Sequence, residues 1–425
     1  MLTEQNKLSP LERCIYPLSI DSFLDNYWEK SPLYNIGVNV SDQFSDLLSL
    51  DEVDEIISSS NLRYPFFRIL KDGQRFPIEK CTTAWTVGAD VESGLADLNV
   101  LYDQFANGAT IELQAMERNC LPLMVFCNLL EKQTKFPVRS IIYLTPKNSS
   151  GFQAHYDTHD TIILQISGKK KWKVWGSPFK LPLSTQFDNG ENELVKKEVD
   201  NKVPDEFTMA PGDSIYLPRG YIHKAFTEEE HSLSISIGVM VHRWIDIFHL
   251  LVQETLATNE VATLNASNLS SSLMQNVGSF EDRCLSTQFS EISESLLSNY
   301  TYKKGLELVN KRFITTRRPS ARGRLLDIES IDNVSSGTKI YARSEMVSLI
   351  KISGEYVILT FNNAPEVFAS NFLETLEFMS NTSEFCLEDI PGNITNEDKM
   401  QLVKHLIKVG YLTLHNDLIE KPIAS

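Results

Sequence analysis

The sequence is poor in cysteine, has no long apolar run and carries no excess of positive charge. Its six cysteines, Cys14, Cys81, Cys120, Cys127, Cys284 and Cys386, include no Cys-x-x-Cys pair. That spacing excludes a zinc knuckle or a redox dithiol and points to a reducing compartment. The longest apolar stretch, around residues 121–130, is too short to span a bilayer. The opening MLTEQNKLSPLERC lacks the apolar core of a signal peptide, and its Glu4 and Glu12 are unlike an acid-poor transit peptide. A cytoplasmic protein away from membranes is the expectation. With Lys+Arg at 40 against Asp+Glu at 56, the formal net charge is −16. This argues against direct nucleic-acid binding, which needs a basic surface to displace counterions. It suits a basic partner and serves solubility equally well. A length of 425 residues, with 42% hydrophobic and 23% charged content, predicts an ordinary globular chain of two or three packed units.

What the sequence does offer is concentrated in residues 139–175 and 211–226. His155 and Asp157 stand two residues apart, so on extended backbone their side chains leave the same face and reach one ion together. His223, behind a Pro-Arg-Gly turn, is the candidate third ligand, and the apolar Ala225-Phe226 that follows would bring it beside the first pair. Two imidazoles and one carboxylate on one side of a metal leave three positions open, an arrangement suited to non-haem Fe(II). A lone His-x-Asp is common in soluble proteins. The context strengthens it: a turn at Gly151, a β-rich run with Lys170, and the PGD turn ahead of His223. His159 shares a strand face with His155, but four extended residues would separate them by about 13 Å. His159 and Asp160 are therefore expected to border the pocket or hold outer contacts. His231, Trp172 and Trp175 read as structural.

The stretch YLTPKNSSGFQAHYDTHDTIILQISGKKKW resembles the JmjC-type, cupin-fold 2-oxoglutarate oxygenases, and among them the ribosomal oxygenases. The likeness is strongest over residues 139–241, and DNYWEKSPLYN resembles the entry helix of that group. The resemblance implies an Fe(II)-dependent hydroxylase with 2-oxoglutarate and O2 as co-substrates, with His155, Asp157 and His223 holding the metal. It implies that Lys170 binds the distal carboxylate of 2-oxoglutarate. Tyr143 falls where the family has a pocket tyrosine that donates to the same carboxylate, although an aromatic on a strand suits a core equally. The implied substrate is a protein or peptide side chain, typically Arg or His of a ribosomal protein. Where the family usually has Asn this chain has Ile141, and where it often has His and Ser it has Ser234 and Gly238. These departures spare the triad but bear on co-substrate placement. They keep open a small natural product or peptide precursor as substrate, and a non-catalytic cupin-like binding or scaffold protein.

The fold expected is α+β. Residues 1–137 form a helical and β platform, 138–241 a double-stranded β-helix barrel, 242–334 a helical linker and, by resemblance, a homodimer region, and 335–425 a unit resembling a winged helix. Ser19 or Asp21 and Ser49 or Asp51 can cap early helices. Asp72-Gly73 marks a tight turn between two strands. Residues 88–94 read as a loop, and the platform shows no visible chemistry. In SLSISIG, Leu233, Ile235 and Ile237 share one face and Ser232, Ser234 and Ser236 the other, as a barrel with a polar interior requires. Residues 181–206 read as an irregular excursion. The basic residues from Lys303 to Arg324 read as a solvated face or a contact for an acidic partner. A last helix is expected over residues 397–409, with Asn396 as N-cap and Gly410 as its stop. Beyond residue 371 acidic residues outnumber lysines and arginine is absent, so phosphate binding there is not expected.

Overall fold

The computed structural model describes residues 8–38, 42–186, 193–257, 294, 301–318, 321–361 and 364–415. The chain divides after Val241 into two compact units. Each has its own apolar core.

The strands of the first unit are β1 Leu33–Asn35, β2 Phe67–Lys71, β3 Gln74–Arg75, β4 Thr82–Val87, β5 Asp90–Ala96, β6 Thr110–Gln114, β7 Val138–Thr145, β8 Asp160–Gly168, β9 Lys170–Val174, β10 Asp205–Met209, β11 Ser214–Leu217, β12 His223–Phe226 and β13 Ser232–Val239. Eight of them join in the order β1-β11-β8-β13-β7-β6-β2-β3, and three in the order β10-β9-β12. Among the described residues no hydrogen-bonded pairing closes these two sheets into one barrel. A cavity lined from both lies between them instead.

Period-2 alternation decides what each strand does. On β13, Leu233, Ile235 and Ile237 are buried in the core, as are Ile142 and Leu144 of β7. That core also takes Leu11 and Ile15 from the helix Pro10–Ile15 and Leu123, Phe126 and Leu130 from the helix Leu121–Thr134. The opposite faces give Ser234 and Ser236 of β13, and Ile141, Tyr143 and Thr145 of β7, to the cavity. Register pairs Ser234 with Tyr143 and Ser236 with Ile141. Ser232 leaves this pattern, because the register shifts between Leu233 and Ser234 and its hydroxyl accepts from Gln165 Nε2 at 2.9 Å.

The chain passes from the large sheet to the small one at the β8–β9 turn. Gly168 has φ +62° there, and a Cβ would stand 1.8 Å from the His231 carbonyl oxygen, so only glycine fits. This turn brings Lys170 onto the inner side of β9.

Local signals held at several helix starts. Ser19 caps the helix Ile20–Asn26, and Ser49 caps Leu50–Ser59 in a reciprocal box with Glu52. Asp72 and Gly73, with φ of 52° and 85°, make the turn between β2 and β3. Other expectations need correction. Residues 88–94 belong to the β4–β5 hairpin, favoured by the β-branched Thr82, Thr83, Thr86 and Val87. Within residues 181–206 there is a helix, Glu193–Asn201, followed by β10.

In the second unit the helices Trp244–Ala257 and Tyr302–Thr315 pack through Ile247, Leu251 and Val309. The Ser/Asn-rich stretch 258–272 lies outside the described residues. Of the basic residues, Lys304 pairs with Glu254 at 3.7 Å, while Arg324 donates to the Lys408 carbonyl. The helix Asn396–Val409 is capped by Thr395, not Asn396: Thr395 accepts from Asp398 N–H and Asp398 reaches back, a two-way closure that Asn396 has no partner to form. Gly410 ends it with φ 84°. Strands at Ser348–Ser353 and Ala364–Ala369 flank Tyr356–Phe361 and were not anticipated. No helix among the described residues is long and apolar enough to cross a membrane.

Candidate active site

Backbone pairing brings the two histidines together. His155 and His223 face each other in an isolated antiparallel bridge, with reciprocal N–H to carbonyl hydrogen bonds of 3.1 and 2.8 Å. Their ring centroids are 4.5 Å apart. The backbone around Asp157 is not a continuous strand, as the sequence had suggested, because β8 begins only at Asp160. The Asp157 carbonyl instead accepts from Gly220 N–H at 2.9 Å, which ties it to the Pro-Arg-Gly turn ahead of His223. One donor atom each from His155, Asp157 and His223 lies within 4.8 Å of the others.

The donor chemistry of this cluster fits a divalent metal. His155 Nδ1 lies 2.8 Å from the Gln153 carbonyl and His223 Nδ1 3.1 Å from the Tyr221 carbonyl. A carbonyl only accepts, so in each ring Nδ1 carries a proton and Nε2 is the nitrogen left to face a metal. Burial drives the His223 pKa down to about 4, helped by the neighbouring His155, so this imidazole is neutral. Burial pushes the Asp157 carboxyl upward, but His159, His223 and His155 outweigh it and hold the group below the usual range. Thr161 Oγ1 donates to Asp157 Oδ2 at 3.4 Å. A neutral His223 and an ionised Asp157 are the forms in which these groups bind a metal.

These groups open into a cavity of about 720 Å³. Lys170 lines it from β9 and is 6% exposed, and its Nζ donates to Thr145 Oγ1 and Ser234 Oγ, both at 3.4 Å. Among the described residues no carboxylate pairs with it, and burial lowers its pKa to about 8. Tyr143 lies beside it, with Nζ 5.4 Å from the ring centroid. Burial, then Glu112 and Asp157, keep the phenol protonated, and among the described residues its hydroxyl makes no hydrogen bond. The structure thus places all five candidate residues, His155, Asp157, His223, Lys170 and Tyr143, around one cavity.

His159 also lines the cavity but stands outside the three-residue donor cluster. Asp160 does not line it. Its carboxylate is fully buried, accepting from Tyr216 Oη and Arg219 Nη1 at 2.9 Å each, and so anchors the loop that precedes His223. His231 bonds Ser167 Oγ and Trp175 packs in a small core with Tyr156, so both are structural. Trp172 is core and cavity wall at once.

The platform is not silent, as it had seemed from sequence. β2, β3 and β6 give Arg68, Arg75, Glu112 and Gln114 to the cavity. The signal that could have found them is the alternation in TIELQ: Ile111 and Leu113 enter the core, which sends Thr110, Glu112 and Gln114 to the other face.

Residues 116–247 match the family model described as JmjC domain. The bifunctional lysine-specific demethylase and histidyl-hydroxylase NO66 of Drosophila persimilis is 29% identical over 232 residues, 54% of this chain and 31% of that protein. The NO66 protein of Aedes aegypti is 30% identical over 249 residues, 57% of this chain and 36% of that protein. The alignments thus span about a third of the length of these relatives. The structure of YcfD, a ribosomal oxygenase from Escherichia coli, in complex with cobalt and 2-oxoglutarate, superposes with a TM-score of 0.55 at 16% identity, covering 93% of this chain and 98% of that chain. At that identity the likeness concerns the fold.

Proposed function

We propose that this chain, whose residues 116–247 match the JmjC domain model, is an Fe(II)- and 2-oxoglutarate-dependent oxygenase that hydroxylates a protein or peptide side chain. The observation that carries the reading is the meeting of His155, Asp157 and His223 in the cavity that also holds a buried Lys170, which has no carboxylate partner among the described residues. The three would hold iron, and bound iron with 2-oxoglutarate and O2 supplies the oxidising power to place one oxygen atom in a C–H bond. The chain's own part is to bind, orient and exclude water. The Gln153 and Tyr221 carbonyls fix both imidazoles with Nε2 outward. The Lys170 ammonium, held by two neutral hydroxyls, receives the distal carboxylate of the co-substrate. Tyr143 offers its free hydroxyl as a donor to the same carboxylate, while Ile141, Ile163 and Trp172 wall the cavity with apolar surface.

The names of the relatives, a histidyl-hydroxylase and a ribosomal oxygenase, support a basic or ring-bearing residue of a ribosomal protein as the target. The same reading takes the two facing sheets as a double-stranded β-helix and the unit after residue 335 as winged-helix-like. The pair of helices with the sheet formed by Ile340–Ala342, Glu384–Phe385 and Leu412–Thr413 supports the latter. It takes segment 242–334 as a homodimer region, supported within the described helix Trp244–Ala257 by Trp244 and Phe248, which are 67% and 49% exposed. It takes the location as cytoplasmic, a reading supported by the buried free thiols of Cys14, Cys81, Cys120 and Cys127.

Anaerobic titration with Fe(II) and 2-oxoglutarate tests the reading. The wild-type protein should develop the visible metal-to-ligand charge-transfer band, and His223→Ala should lose it, with metal affinity down by more than about 100-fold. A metal-loaded protein that stays colourless with 2-oxoglutarate would point to a scaffold instead.

A further inference from the structure

Glu112 is a carboxylate that the fold had every opportunity to avoid. It sits in mid-strand between Ile111 and Leu113, is 1% exposed, and is the only carboxylate besides Asp157 among the cavity-lining residues. It stands directly across from Tyr143 in the β6–β7 register, on the same inner face. Gln114 Nε2 donates to its Oε1, and Arg68 Nη1 lies 3.6 Å from that same oxygen, beyond hydrogen-bond range. Its other oxygen, Oε2, is buried and has no hydrogen-bond partner. A buried acceptor left open in the wall of a reaction cavity is incomplete until something donates to it.

The surrounding charge decides what kind of donor. Burial pushes the Glu112 carboxyl above its usual range, and Arg68 and Arg75, which line the same cavity, pull it part of the way back down; Arg75 makes no ion pair among the described residues. Arg68 is the nearer of the two guanidinium groups, 3.6 Å from Glu112 Oε1. A substrate guanidinium or ammonium at Oε2 would be a third cation near Glu112, beside the two arginines. A substrate carboxylate would meet Glu112 itself, and an aliphatic side chain would leave Oε2 open. A neutral N–H donor meets the need without adding charge.

We propose that Glu112 reads the target side chain, its Oε2 accepting an N–H from a neutral imidazole or carboxamide, so that the site prefers His or Asn over Arg or Lys. This rests on the oxygenase reading above. The assay uses peptide libraries with a fixed central His, Asn, Arg, Lys or Asp and randomised flanks, offered to the full-length protein with Fe(II), 2-oxoglutarate and O2, and read by mass spectrometry for one added oxygen. Retention of the same libraries on immobilised metal-free protein gives a second readout. Wild type should favour the His and Asn libraries by about ten-fold or more in both. Glu112→Leu, which suits the apolar side of a strand and should fold, should erase that ranking while the charge-transfer band remains. Glu112→Gln, which keeps an acceptor oxygen, should retain part of it. Equal or better use of Arg or Lys by wild type, or an unchanged ranking in Glu112→Leu, overturns the proposal. A wild-type protein without the charge-transfer band overturns the oxygenase reading itself, and this one with it.

Discussion

Lys170 shows how one side chain's surroundings set its chemistry. Its ammonium is buried among hydroxyls, and the loss of hydration is what brings its pKa down to about 8. Below that pH the empty site presents a cation; above it the amine is neutral and offers an anion much less. Affinity for 2-oxoglutarate should therefore fall as pH rises through about 8, measured by titrating the charge-transfer band at fixed Fe(II). Lys170→Arg keeps its charge and should flatten that profile. Lys170→Ala should weaken co-substrate binding by about 10- to 100-fold at neutral pH while leaving metal retention intact. Lys169, Lys171 and Lys173 were equal candidates by composition. Strand alternation separates them in the fold: Lys169, Lys171 and Lys173 pair with Glu230, Glu228 and Glu206 on the outside, and Lys170 turns inward.

At the scale of elements, the segment carrying the His-x-Asp pair packs against β13 through a missing side chain. A Cβ on Gly238 would lie 2.6 Å from His159 Cδ2 and 2.8 Å from Nε2. Glycine there makes room for an imidazole that also lies near the Asp157 carboxylate. Gly238→Val should cost about 1–3 kcal/mol through overpacking. In a His159→Ala background most of that cost should vanish, and denaturant unfolding of the four proteins of the cycle measures the difference. An additive cycle would show that the two residues do not share the space. Such a match between strand and loop has no local signature, since His159 and Gly238 are far apart in sequence.

At the scale of the molecule, the two units draw on separate cores with no residue in common. All five candidate site residues lie in the first. Residues 1–241 made alone should unfold in one cooperative step and keep the Fe(II) and 2-oxoglutarate band. Metal affinity more than about ten-fold below that of the full chain would show that the site draws on residues after 241.

Short-range physics was legible in the chain itself. The capping serines, the Asp72-Gly73 turn and the alternation of SLSISIG each depend on residues a few positions apart, where dihedral preference and side-chain period act without outside help. The His-x-Asp pair was legible as a motif, but not through the strand period it suggested. Which groups meet across the fold was decided only by tertiary structure. The 155–223 bridge joins residues 68 positions apart, Lys170 gains its hydroxyl partners from β7 and β13, and Glu112 reaches the cavity because β6 pairs with β7. Pairing between distant strands depends on register and on the burial of whole faces, and no window of neighbouring residues contains either.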